Sequence, residues 1–184
     1  MSTNAWLSSE RIRYMKMTGT VVVVDACKYG YGILWCCLHE STLSLTLPPV
    51  EGVWEPDCST SNQFLLELRV TVVAISEFFS SNPDAEQLIV VGDNTGVMWC
   101  LKNGYCTNNL GMLELKKVLF YLARIRFITV VSKNNAADCP SRKFDPHVKD
   151  PYADFGLRMV MTGAKYHFSR LCGAANWGGR AVCG

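Results

Sequence analysis

Two short runs constrain this chain more than anything else in it: Val21-Val22-Val23-Val24-Asp25 and Ile89-Val90-Val91-Gly92-Asp93. Each is dominated by β-branched residues and stops on a carboxylate. Apolar runs without polar alternation belong to strands covered on both faces, the habit of parallel sheets flanked by helices. The Asp that closes each run then stands at the carboxyl edge of the sheet, where open α/β sheets gather their ligand sites.

The remaining segments are read around these two strands. Tyr29-Gly30-Tyr31-Gly32 supplies a turn after the first strand, and Ile33 to His39 and Thr42 to Leu47 extend it into an antiparallel meander. Pro48-Pro49 ends the meander, and Val50 to Ser61 reads as a loop. Asn62 is the N-cap of a helix running through Phe79, with Leu65, Leu68, Val72, Ile75 and Phe79 at helical spacing, although Val70 to Val73 favour strand locally. Gln87 to Gly92 is the second buried strand. Thr95 to Lys102 is a short helix stopped by Gly104, and Leu110 to Ala123 is a longer one with apolar and basic faces. Phe127 to Val131 makes a fifth strand, and a last helix opens near Asn134 to Asp138. This order predicts an α/β fold with a mixed five-stranded sheet and helices on both faces. Architecture alone fixes no function.

Length and composition set the outer bounds. A chain of 184 residues, 49% hydrophobic and 18% charged, supports one domain with extensions. The divisions expected are an N-terminal extension at 1–17, the domain at 18–145 and a basic tail rich in Gly and aromatic residues at 146–184. The net charge of +2 argues for no partner by itself, but residues 151–184 hold 4 Lys/Arg against 1 Asp/Glu. Beyond Lys143 the pattern dissolves, so the tail reads as a weakly ordered connector; its interleaved aromatic and basic residues leave a single-strand grip as the alternative. The longest apolar runs fall far short of the roughly 20 residues that cross a bilayer, and Met1 to Lys16, with polar and charged residues scattered through it, does not read as a secretory leader. An intracellular protein of the cytoplasm or nucleus is expected. The 9 cysteines are odd in number, with Cys36 and Cys37 adjacent, and read as reduced thiols. His167 and Cys172 lack two further ligands for zinc.

Four acids carry the chemistry. Asp25 and Asp93 end buried strands, Glu67 interrupts the apolar face of a helix, and Asp138 follows a strand and two Ala residues. A buried Glu is costly unless something offsets it, and converging carboxylates repel until cations arrive. Two Mg²⁺ ions about 4 Å apart, bridged by a carboxylate, hydrolyse phosphodiesters by activating water and stabilising the leaving oxygen. Oxygen ligands alone suffice for Mg²⁺.

The residues around these acids carry a resemblance: Asp25-Ala26-Cys27-Lys28-Tyr29-Gly30-Tyr31-Gly32, then Glu67-Leu68, then Asp93-Asn94-Thr95, then Asn135-Ala136-Ala137-Asp138-Cys139-Pro140-Ser141-Arg142. In this order they resemble the successive blocks of ribonuclease H domains in LTR and DIRS-like retrotransposon polyproteins, across Thr20 to Arg142. The resemblance implies a ribonuclease H-like sheet and cleavage of the RNA strand of an RNA-DNA hybrid. It implies two Mg²⁺ ions, replaceable by Mn²⁺, with Asp25 shared between them, Glu67 and Asp93 completing one site and Asp138 the other. Lys28, Asn94, Lys133 and Arg142 are the candidate nucleic-acid contacts, and the chain is expected either as part of a longer polyprotein with a reverse transcriptase domain as partner or as a stand-alone remnant of one. The chain departs from the family in two places. The loop Ser132-Lys133-Asn134-Asn135 lacks the usual His, whose role Lys133 can share, and no Tyr-x-Asp-Asp signature of a polymerase is present. The competing readings are an inactive nucleic-acid-binding module on the same fold and an integrase- or transposase-like nuclease.

Bland readings accompany each of these residues. Asp25 and Asp93 suit strand-end turns, Asp138 a helix cap, Ser141-Arg142 an exposed helix end, and Lys102, Lys116, Lys117 and Arg124 a solvated face. Trp99 reads as core.

Overall fold

A computed structural model describes residues 19–39, 42–56 and 62–171, with side chains to Lys165. Strands β1 (Thr20–Cys27), β2 (Gly30–His39), β3 (Thr42–Leu45), β4 (Val50–Gly52), β5 (Leu88–Gly92) and β6 (Ile125–Thr129) form one mixed sheet in the order β3-β2-β1-β5-β6. β4 shares the outer edge of β2 with β3, pairing Tyr31 to Ile33 while β3 pairs Cys36 to His39. β1 and β2 are antiparallel, whereas β1, β5 and β6 run parallel. The chain is therefore α/β with a six-stranded mixed sheet, one strand more than the hydrophobic pattern predicts. The extra strand is β4, which lies in the expected loop and is too short to show a period.

Parallel strands demand crossovers, and the helices supply them. Helix α1 (Gln63–Ser81) carries the chain from the meander to β5, and α2 (Thr95–Asn103) with α3 (Asn109–Lys116) carries it to β6. Their starts are written in asparagines. The Asn62, Asn94 and Asn108 side chains each accept from backbone N–H groups of the first turn. Gly104 closes α2 in the left-handed conformation, at φ 65°. In α1 the β-branched Val70 to Val73 are overridden by packing, because Leu66, Val70, Ala74 and Ile75 bury against the sheet.

Alternation along β1 divides the core. Val22, Val24 and Ala26 join α1, α2 and α3 on one face, while Val21 and Val23 pack on the other with Leu34, Ile89, Val91 and Ala137. That second face is covered by α4 (Asp138–Ser141) and by α5 (Phe155–Leu171), which lies against β3.

Several expectations require correction. The stretch Tyr29 to Gly32 is mostly strand, since β2 begins at Gly30. A Cβ on Gly32 would come within 2.4 Å of the Ala137 carbonyl and 2.6 Å of Pro140, and one on Gly30 within 2.4 Å of the Gly52 carbonyl. These glycines serve close packing. The expected helix from Leu110 to Ala123 breaks at Val118, which leaves helical backbone (φ −124°, ψ 4°) with its side chain fully buried, and a 3₁₀ turn follows at Leu119–Arg124. Leu113 and Phe120, expected on an apolar face, are exposed. Trp99, expected in the core, is half exposed. Arg124, expected on a solvated face, donates to the Pro83 and Ala85 carbonyls and stacks on Phe79. The patternless segment after Lys143 contains α5, whose Phe155, Met159 and Thr162 turn inward. Tyr166, Phe168 and Trp177 of the tail reading have side chains outside the described residues, as do the extension at 1–17 and the His167–Cys172 pair. Among the described residues the cysteines are free thiols, and no helix is long and apolar enough to cross a membrane.

Candidate metal centre

The β1–β5 register pairs Val23 with Val91; carried two residues further, it sets Asp25 beside Asp93 at the carboxyl edge. Helix α1 crosses that edge and lowers Glu67 from its first two turns. One carboxylate oxygen from each of Asp25, Glu67 and Asp93 lies within 4.8 Å of the others. Asp25 is 4% and Glu67 5% exposed, while Asp93 is partly open to solvent.

This arrangement holds Asp25 and Glu67 toward their protonated forms. Burial pushes Asp25 well above the usual carboxylate range, and the charges of Asp93 and Asp138 push the same way against the Ser141 hydroxyl and Arg142. Burial also raises Glu67, with Asp25 and Asp93 adding to it and a hydrogen bond from Gln63 opposing. The donor set is three carboxylates without His or Cys, the hard-oxygen set that suits Mg²⁺ and Mn²⁺. A divalent ion would supply the positive charge that two buried carboxylates need.

Asp138, the fourth predicted ligand, falls outside this group of three. Its Oδ1 accepts from Arg142 Nε at 2.5 Å and its Oδ2 faces Arg158 Nη1 at 3.1 Å. It remains near enough for its charge to act on Asp25. The predicted nucleic-acid contacts differ in exposure and in partners. Lys28 is exposed at the β1–β2 turn, against the Tyr29 ring. Lys133 is exposed in the 3₁₀ turn Ser132–Asn134. The Asn94 oxygen is occupied as the cap of α2. Arg142 is half exposed and bound to Asp138, with Asp145 at 3.9 Å.

The structure adds groups that sequence reasoning missed. Ser141 Oγ donates to Asp25 Oδ2 at 2.5 Å, and Asn135 Nδ2 donates to the Val24 carbonyl at 3.0 Å and faces Asp25 Oδ1 at 3.4 Å. Gln63 Nε2 donates to Glu67 Oε1 at 2.7 Å and to the Ala26 carbonyl. Arg158 reaches in from α5, donating to the carbonyls of Ser132 and Asn135. Asn135 and Ser141 stand inside a motif already singled out, so the available signal was their place beside Asp138; Ser141, expected at an exposed helix end, is fully buried because α4 packs on β2 at Gly32. Arg158 carried none. Beside Glu67 and Asp93 lies a small pocket walled by Val24, Val90, Val97, Leu101 and Phe127.

No protein-family model, curated protein or solved structure matches this chain.

Proposed function

We propose that the chain is a ribonuclease H-type nuclease on a ribonuclease H-like sheet, hydrolysing the RNA strand of RNA-DNA hybrids with divalent cations, in or derived from a retroelement reverse transcriptase. The observation that carries this reading is the convergence of Asp25, Glu67 and Asp93 within 4.8 Å at one sheet edge. Asp25, Glu67 and Asp93 would hold one ion, and Asp138 with Asp25 a second once Asp138 exchanges its arginines. Bound Mg²⁺ or Mn²⁺ supplies Lewis acidity that activates water and offsets charge on the scissile phosphate. The chain's own part is to bring the acids together, keep apolar walls behind them and present cationic side chains to the nucleic-acid backbone. Lys28 and Lys133, both exposed, and Arg142 would supply that charge.

The test is incubation with labelled RNA-DNA hybrid, duplex RNA and duplex DNA in Mg²⁺ or Mn²⁺. The expected result is cutting of RNA in the hybrid, sparing of duplex DNA, and weaker binding as salt rises. Asp25→Asn and Asp93→Asn should each lower cleavage by at least a hundredfold and remain folded. Near-normal activity in either variant refutes the reading, and equal cutting of duplex DNA moves it to an integrase-like nuclease. A second reading, a hybrid-binding module without hydrolysis, draws on the two arginines that neutralise Asp138. Its signature is hybrid binding with no cleavage in either metal.

A further inference from the structure

We propose that Asn135 and Ser141 are positioning residues of the metal centre, fixing the Asp25 carboxylate so that its free lone pairs face Glu67 and Asp93. The inference rests on Asp25 being a metal ligand and adds the groups that orient it.

Both side chains are completely buried, and a buried polar group is expensive unless its partner repays the lost water contacts. Ser141 Oγ lies 2.5 Å from Asp25 Oδ2 and 3.0 Å from the Asp138 carbonyl. It has a single proton to give, and once a cation keeps Asp25 ionised the carboxylate is the stronger acceptor. Asn135 has no freedom to flip. Its Oδ1 accepts from the Ala137 N–H at 3.1 Å and its Nδ2 donates to the Val24 carbonyl at 3.0 Å, which turns the amide's donor end toward Asp25. The two groups thus address the two oxygens of one carboxylate.

The fold is built to let them approach. Gly32, opposite Asp25 in the β1–β2 ladder, leaves room for α4, since a Cβ there would meet the Ser141 nitrogen at 2.8 Å. Arg158 holds the same loop from outside by donating to the Asn135 carbonyl at 3.2 Å. Groups that hold a ligating carboxylate or imidazole from behind commonly change metal affinity by about 10- to 100-fold when removed.

The experiment titrates Mn²⁺ into the full chain by calorimetry, for wild type, Ser141→Ala, Ser141→Cys and Asn135→Ala, and records each protein's melting temperature in EDTA. The expected result is a Mn²⁺ Kd raised about tenfold or more in both alanine variants. Ser141→Cys, which keeps a weak donor, should fall between Ala and wild type, with affinity lost even where the melting temperature in EDTA stays at the wild-type value, a split that a packing role does not produce. Wild-type Mn²⁺ affinity in a folded Ser141→Ala overturns the proposal. If that variant does not fold, Ser141→Cys decides: a weakened Kd supports the proposal and a wild-type Kd overturns it. Wild type that binds no Mn²⁺ overturns the metal centre itself, whereas wild type that binds Mn²⁺ and leaves hybrid intact overturns the nuclease reading alone.

Discussion

Glu67 shows most directly how a single residue links folding to chemistry. It is an ionisable side chain 5% exposed, on an apolar helix face, with Asp25 and Asp93 as neighbours. Its pKa in the metal-free fold is raised, chiefly by burial, so the unfolded chain releases this proton first, near pH ~4.3. Between that pH and the higher folded-state value the folded protein binds more protons, and stability falls as pH rises. Asp25 acts in the same direction. Denaturant melts in EDTA should therefore show stability highest on the acid side and declining through neutrality, by at most about 1.4 kcal/mol per pH unit for each group titrating. Glu67→Gln should flatten that decline and stabilise the metal-free protein at pH 8. A flat wild-type profile would mean that the acids ionise freely and are not crowded together. The converging acids were legible in sequence because each breaks a pattern: Asp25 and Asp93 stop β-branched runs, and Glu67 intrudes on an apolar face.

At the scale of elements, α4 fits tightly against β2 at Gly32. The Gly32→Ala substitution places a methyl against the Ala137 carbonyl, Pro140 and the Ser141 nitrogen. Overpacking of this kind costs about 1–3 kcal/mol, and here the strain is relieved by moving the helix that carries Ser141. The expected outcome is a lower melting temperature together with weaker Mn²⁺ binding. Gly19→Ala, with φ 108° and nothing within 4 Å of the added carbon, should lower stability without touching Mn²⁺ affinity. Both are read by thermal melts with and without Mn²⁺. The same comparison explains what sequence can and cannot reveal. Gly30 and Gly32 look like turn residues because the backbones they admit, Gly52 and α4, are distant in sequence. β4 is three residues long and has no period to detect. Val118 breaks a helix whose pattern is otherwise continuous, since its burial is decided by the partners it meets. Helix α5 escapes notice because Leu157, Val160 and Met161 make its outer face apolar too, which erases the contrast that marks a helix on a core.

Across the whole molecule, α5 ties the second face of the sheet to the metal centre through Arg158. Its guanidinium binds Asp138, Asp154 and the carbonyls of Ser132 and Asn135 while only 16% of the side chain is exposed. Arg158→Ala leaves Asp138 to Arg142 alone and removes the donor to the Ser132 and Asn135 carbonyls, and should cost about 1–3 kcal/mol, measured by urea denaturation. Metal acts on the same global equilibrium. A cation held only by the folded state stabilises by about 2.7 kcal/mol at one hundred times its Kd. Mn²⁺ should thus raise the wild-type melting temperature by several degrees and leave Asp25→Asn nearly unmoved. A wild-type curve indifferent to millimolar Mn²⁺ would remove the basis for the centre.

The separation between Asp25 and the two groups that hold it has a consequence in time. Asn135 lies 110 and Ser141 116 residues downstream of the carboxylate they address. Contacts that span so much chain form late, because closing a long loop must precede any gain from its ends. As the polypeptide leaves the ribosome, Asp25, Glu67 and Asp93 are made well before the segment that orients the first of them. The expected order is that α1, α2 and the central strands form before the carboxylate is oriented, so in refolding experiments tight Mn²⁺ capture should lag behind the helical circular-dichroism signal.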